Sequence, residues 1–148
     1  MRKLVMAVAS VVVTVLAAVL VATPAEAAGG IMIYRAYYNS PGSDTGTNAS
    51  LNAEYVLLKN TASTAKWTNG WTLRDKANHV YKFPGTKINP GKYLYVRTGR
   101  GTNNAATRYW NQKWYIWNNT GDAAYLRNTA GTLIDSCSWG SSGSWRNC

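Results

Sequence analysis

The sequence predicts an all-β fold, a β-sandwich or small barrel of about eight short strands. Three observations predict it. Apolar residues come in short runs or alternate with polar ones, and no sustained helical period runs through the body of the chain. Turn residues such as Asn39-Ser40-Pro41-Gly42 and Asn89-Pro90-Gly91 separate these runs at frequent intervals. The chain has 148 residues, of which 46% are apolar, which suits one domain with a single core.

The first segment stands apart from that fold. Arg2 and Lys3 open it, an apolar run follows from Leu4 to Ala22, and Ala25-Glu26-Ala27 ends it as a small-x-small site. This order reads as a secretory signal over residues 1–27, with one domain over 28–148 and a mature chain starting near Ala28. The rival is an uncleaved membrane anchor, because the apolar run is long for a signal; Pro24 and the cleavage site favour removal. No later run is long enough to span a bilayer, so no stable membrane insertion is expected after cleavage. Without Arg2, Lys3 and Glu26 there remain 14 basic and 5 acidic residues, a net charge of +9.

The strands then follow in order. "IMIYRAYY" lies between Gly29-Gly30 and the turn at Asn39. In "EYVLLKN", Val56 and Leu58 share one face while Tyr55, Leu57 and Lys59 share the other. "GWTLRD" and "HVYKF" flank "KAN", a hairpin-length link, and Pro84 stops the second of them. "KYLYVRT" alternates most cleanly, with Leu94 and Val96 inward and Tyr93, Tyr95 and Arg97 outward. "KWYIW", "DAAYLRN" and "TLIDSCSW" complete the set, and "NTAG" joins the last two as a hairpin. "RGTNNAATRYWNQ" breaks the alternation and reads as a long loop with room for one helical turn.

Both cysteines lie in "CSWGSSGSWRNC". In an exported chain Cys137 and Cys148 can pair, fastening a Gly/Ser-rich stretch with little core of its own. Closing so short a loop stabilises by roughly 2.5–3 kcal/mol on chain entropy. Two Cys and a distant His79 make no zinc spacing.

The succession "NAEYVLLKN", "GWTLRDKANHVYKFPGTKINPGKYLYVRTGRG" and "WNNTGDAAYLRNTAGTLIDS" resembles a lamin tail domain from about Ile31 to Trp139. Its most specific pieces are Gly70-Trp71-Thr72-Leu73 and Asn119-Thr120-Gly121-Asp122. The resemblance implies an immunoglobulin-like β-sandwich and a bacterial exported member. It also implies an adhesion or targeting module, since members of the family bind chromatin, DNA and protein partners. It supplies no role for the Cys137–Cys148 segment, and fold alone carries function no further.

The acidic residues offer little chemistry. An EF-hand beginning at Asp44 would need Asp or Asn at its third position, Gly at its sixth and Glu at its twelfth; Gly46, Ala49 and Tyr55 stand there. Asp44 and Glu54 remain weak metal candidates in some other geometry, and a glycosidase-like carboxylate pair would need a spacing that sequence does not give. The simpler reading is turn chemistry, which also covers Asp75, His79 and Asp122. No Gly-x-Ser-x-Gly elbow, phosphate loop or dinucleotide fingerprint is present, so no catalytic residue and no cofactor are implied.

The middle of the chain is rich in positive charge. Between Asp75 and Asp122 there is no acidic residue, while Lys76, Lys82, Lys87, Lys92, Arg97, Arg100, Arg108 and Lys113 all fall there. Aromatics interleave, densest in "RYWNQKWYIW". Trp71 and Trp117 are expected in the core. Lys and Arg beside exposed rings suit polyanions, charge for phosphates and π faces for bases or sugars. The expected contact residues are Arg97, Arg100, Arg108, Lys113, Trp110 and Trp114, and the expected partner is a nucleic acid or an anionic cell-wall polymer met outside the cell. Alternatives are a carbohydrate-binding module on Trp and Tyr faces, a structural or protein-binding module, and a small hydrolase. Salt separates the first two, because phosphate binding weakens steeply with salt and stacking on neutral sugar does not.

Overall fold

The computed structural model describes residues 29–148. The segment read as an export signal lies outside the described residues. In chain order the elements are β1 (Ile31–Tyr37), α1 (Asn48–Ala53), β2 (Tyr55–Asn60), β3 (Lys66–Trp67), β4 (Thr72–Arg74), β5 (Val80–Lys82), β6 (Lys87–Ile88), β7 (Tyr93–Arg97), β8 (Thr107–Tyr109), β9 (Asp122–Arg127), β10 (Leu133–Trp139) and β11 (Trp145–Asn147). One sheet runs β11-β1-β2-β7-β8 and a second runs β10-β9-β4-β5, while β3 and β6 pair as a separate ribbon. All pairings are antiparallel except β7 with β8.

Period-two alternation gives each main strand an inner face. Ile31, Ile33 and Ala36 of β1, Val56 and Leu58 of β2, and Leu94 and Val96 of β7 form one side of the core. Leu73, Tyr81, Ala124 and Leu126 form the other. Each fully buried Leu, Ile or Val contributes about 1.5–3 kcal/mol. Trp117 stands at the centre of an indole cluster, its ring centroid 5.8 Å from those of both Trp110 and Trp139. Trp71 is partly buried and packs against the same core, as expected.

Seven of the eight expected strands are present. "KWYIW" is not a strand, although Ile116 and Trp117 are buried. The Ile116 N–H donates to the Glu54 carboxyl at 3.0 Å instead of to a neighbouring strand. The helical turn occurs not in "RGTNNAATRYWNQ" but at α1, where the Thr47 side chain caps the Ser50 N–H. The long stretch contains β8 instead, added in parallel beside β7. β3, β6, β8 and β11 have two or three residues each, too few for alternation to announce them. The expected Cys137–Cys148 disulfide is present and ties β10 of one sheet to the end of β11 in the other. No helix among the described residues is long and apolar enough to cross a membrane.

Candidate functional site

The outer face of the five-stranded sheet gathers aromatic and basic side chains. On β1 the register shifts between Ile33 and Arg35. Ile33 and Ala36 both point into the core, so this bulge delivers two consecutive residues, Tyr34 and Arg35, to the outside. On β2 alternation directs Tyr55, Leu57 and Lys59 to this face, Leu57 itself being buried, and on β7 it directs Tyr93, Tyr95 and Arg97 there, as the sequence predicts.

Strand register arranges these residues in rows. Trp145, Tyr37, Tyr55, Arg97 and Tyr109 lie opposite one another across all five strands. At ordinary strand spacing the row spans roughly 19 Å. A second row runs Asn147, Arg35, Leu57, Tyr95 and Thr107, and a third runs Met32, Lys59 and Tyr93. The cations rest on the rings. The Arg97 guanidinium lies 5.4 Å from the Tyr55 ring centre and 4.9 Å from that of Tyr95. Lys59 Nζ lies 5.4 Å from Tyr34 and 5.3 Å from Tyr93, and the Arg35 guanidinium lies 4.6 Å over Trp145. Each such contact holds a cation in place by about 0.5–1 kcal/mol without neutralising it.

Nothing else neutralises them. The only ion pair among the described residues is His79 with Asp75, in the β4–β5 turn. Of the five acidic residues described, Glu54 and Asp122 are buried, Asp75 is bonded to His79, and Asp135 accepts the Ile33 N–H at 2.8 Å. Asp44 is exposed and bonded to Asn119. At the β7 side the face continues into a cleft of about 440 Å³, lined by Lys87, Lys92, Tyr93, Tyr95, Ala105 and Ala106 among others.

The six residues expected to form one contact surface separate. Arg97 belongs to the sheet face. Arg100 is exposed beyond the end of β7, where its backbone bonds Asn48 and Asn52 of α1. Trp110 is not a surface residue: it is buried, 5.7 Å from the Tyr81 ring as well as against Trp117. Arg108 is buried too. It lies opposite inward-facing Val96, its Nε donates to Thr86 Oγ1 at 2.9 Å, and its Nη1 donates to the Asn104 and Thr107 carbonyls. Lys113 and Trp114 are exposed, but Trp114 packs over Gly46 and lines a separate cleft of about 230 Å³ with Asp44, Asn118 and Asn119. Sequence reasoning did not single out Tyr34, Arg35, Tyr37, Tyr55 or Lys59 for this face. The alternation in "EYVLLKN" was the available signal for the last two.

Over this framework the family model of the Lamin Tail Domain matches residues 24–141, most of the chain. The chain belongs to the lamin tail domain family. Among curated proteins no match is found.

The lamin tail domain is a non-catalytic module, and the carboxylates of this one are used structurally. Asp122 accepts the backbone N–H groups of Lys76, Asn118 and Ala123, and Asp75 accepts that of His79. Glu54 lies inside, accepting the Thr98 hydroxyl at 2.5 Å and the Ile116 N–H. Burial pushes its carboxyl up to about 7, against the pull of those hydrogen bonds and with a smaller push from Asp44. Asp44 is exposed, whereas Glu54 is buried with one carboxyl oxygen bonded to Thr98 and Ile116. Among the described residues no three His, Cys, Asp or Glu side chains are grouped to hold a metal ion.

Proposed function

We propose that this lamin tail domain is an exported binding module that takes an anionic polymer, a nucleic acid or a phosphate-rich wall polymer, across the outer face of the five-stranded sheet. One observation carries the reading. Arg35, Lys59 and Arg97 are held on aromatic rings at the surface with no carboxylate partner among the described residues. Such cations attract phosphate groups and release the counterions condensed on a charged polymer. A neutral glycan needs bare ring faces, and on this sheet the cations already cover part of them. A carbohydrate reading is favoured only by Trp67 and Trp114, 58% and 62% exposed and outside the rows. The export part of the proposal rests on the order of charge, apolar run and Ala25-Glu26-Ala27.

Binding of the protein to DNA, wall polymer and neutral glycans at two salt concentrations tests the choice. Affinity for an anionic polymer should fall as salt rises, and Lys59→Ser with Arg97→Ser should lower it about tenfold and flatten the salt slope by about 1.5. Salt-insensitive binding to a neutral glycan, unchanged in the double variant, would transfer the function to the exposed Trp residues.

A further inference from the structure

Residues 142–148 lie beyond the family match, yet they complete the row that crosses the sheet face. β11 pairs with β1 through Arg35, Ala36 and Tyr37, and its register sets Trp145 opposite Tyr37. The segment is held at both ends. Ser142 and Ser144 carbonyls accept the Tyr38 hydroxyl and the Tyr38 and Asn39 N–H groups, and Cys148 is crosslinked to Cys137. None of the side chains from Trp145 to Cys148 is buried. The side chains of a strand so firmly fixed stay out of the core. What it adds is a half-exposed indole at the end of the row. Beneath the indole lies Arg35, whose Nε donates to Asn147 Oδ1 at 2.8 Å.

We infer that β11 is an added subsite of the binding face, in which Trp145 stacks on a flat ring of the bound polymer, Arg35 takes the neighbouring anionic group, and the Cys137–Cys148 bridge positions the strand. This rests on the sheet face being the binding surface. It deepens that reading by requiring a polymer whose repeating unit carries a flat ring beside each phosphate. Guanidinium stacking occupies one side of the indole, and its remaining exposure, 48%, leaves surface for a ligand ring. The rival role is edge protection, since an uncovered β1 would present free N–H and C=O groups to another chain. Edge protection uses the β11 backbone and is indifferent to the indole.

The experiment compares oligo(dT), which has rings, with inorganic polyphosphate, which has none, on the oxidised protein and four variants. Trp145→Ala should weaken oligo(dT) about tenfold and leave polyphosphate unchanged, while Trp145→Phe restores most of the loss. Arg35→Ser should weaken both probes. Cys137→Ser with Cys148→Ser should reproduce the Trp145→Ala pattern, with thermal melting confirming that each variant is folded. Equal oligo(dT) affinity in the parent and Trp145→Ala overturns the subsite and leaves the sheet-face reading standing. Self-association of the cysteine variant with unchanged oligo(dT) affinity assigns β11 to edge protection and likewise overturns it. If neither probe binds the parent at low salt, both readings fall.

Discussion

The outer face of β7 and the segment from Thr107 to Trp117 carry the same mixture of basic and aromatic residues, and the fold uses them in opposite ways. On β7, Tyr93, Tyr95 and Arg97 stand outside, the cation cradled by rings. In the segment, Arg108 and Trp110 turn inward, the first to bond Thr86 and the second to pack on Trp117. Parity decides the difference. β8 lies beside β7 with Arg108 opposite buried Val96 and Tyr109 opposite outward-facing, half-buried Arg97. A one-residue slip of β8 would exchange the two sets. Residue type thus tells what a side chain can do, and register tells whether it meets a ligand.

The largest expected effect lies on the buried side of this comparison. Trp110→Ala removes an indole from between Tyr81 and Trp117 and should destabilise the domain by about 3–5 kcal/mol, read by chemical denaturation. Tyr95→Ala, outside on β7, should cost under about 1 kcal/mol and act mainly on binding. If the two variants lose equal stability, the division into core and ligand face is wrong.

Glu54 joins the two regions, accepting the Thr98 hydroxyl just after β7 and the Ile116 N–H within the segment. Its carboxyl is pushed up to about 7 by burial from an ordinary value of 4.5. Below about pH 4.5 folded and unfolded chains both hold the proton, and Glu54 costs nothing. As pH rises toward 7 the unfolded chain releases the proton while the folded protein keeps it, so stability falls. The full loss, on the order of 3 kcal/mol, is reached above about pH 7. Glu54→Gln should flatten this decline in a series of denaturation curves. A parent as stable at pH 8 as at pH 5, other groups being accounted for by the variant, would show that Glu54 is ionised at little cost in the fold.

The parts of the architecture set by local alternation were legible from the sequence. "KYLYVRT" is long enough to assign Tyr93, Tyr95 and Arg97 to one side, and Trp117 falls in the core as its apolar neighbours suggest. Long-range pairing was not legible. Nothing local in "IMIYRAYY" marks the bulge that sends both Tyr34 and Arg35 outward, because the bulge exists only relative to β2. Trp110 follows a three-residue strand whose direction comes entirely from β7. The charge-rich middle of the chain was visible, but its partners on the face, Arg35 and Lys59, precede that acid-free stretch.

The smallest expected effect sharpens the comparison at the tip of the segment. Lys113 and Trp114 are the one basic–aromatic pair there that stays exposed, so composition alone would include them in the interface. Their surroundings argue otherwise. Trp114 shares its cleft with Asp44, an exposed carboxylate that repels an anionic chain, whereas Arg35, Lys59 and Arg97 form no ion pair with a carboxylate among the described residues. Lys113 then acts only through long-range attraction, screened over about 10 Å at 0.1 M salt. Replacing both, Lys113→Ser with Trp114→Ala, should change affinity for an anionic polymer less than about twofold at that ionic strength and leave the salt slope unaltered. The same pair of substitutions should cost less than about 1 kcal/mol of stability, since the indole is exposed and packs only against the Gly46 loop and the neighbouring Tyr115 ring. A loss as large as that of the Lys59 and Arg97 variant would carry the interface around the end of the sandwich and return Lys113 and Trp114 to the binding surface.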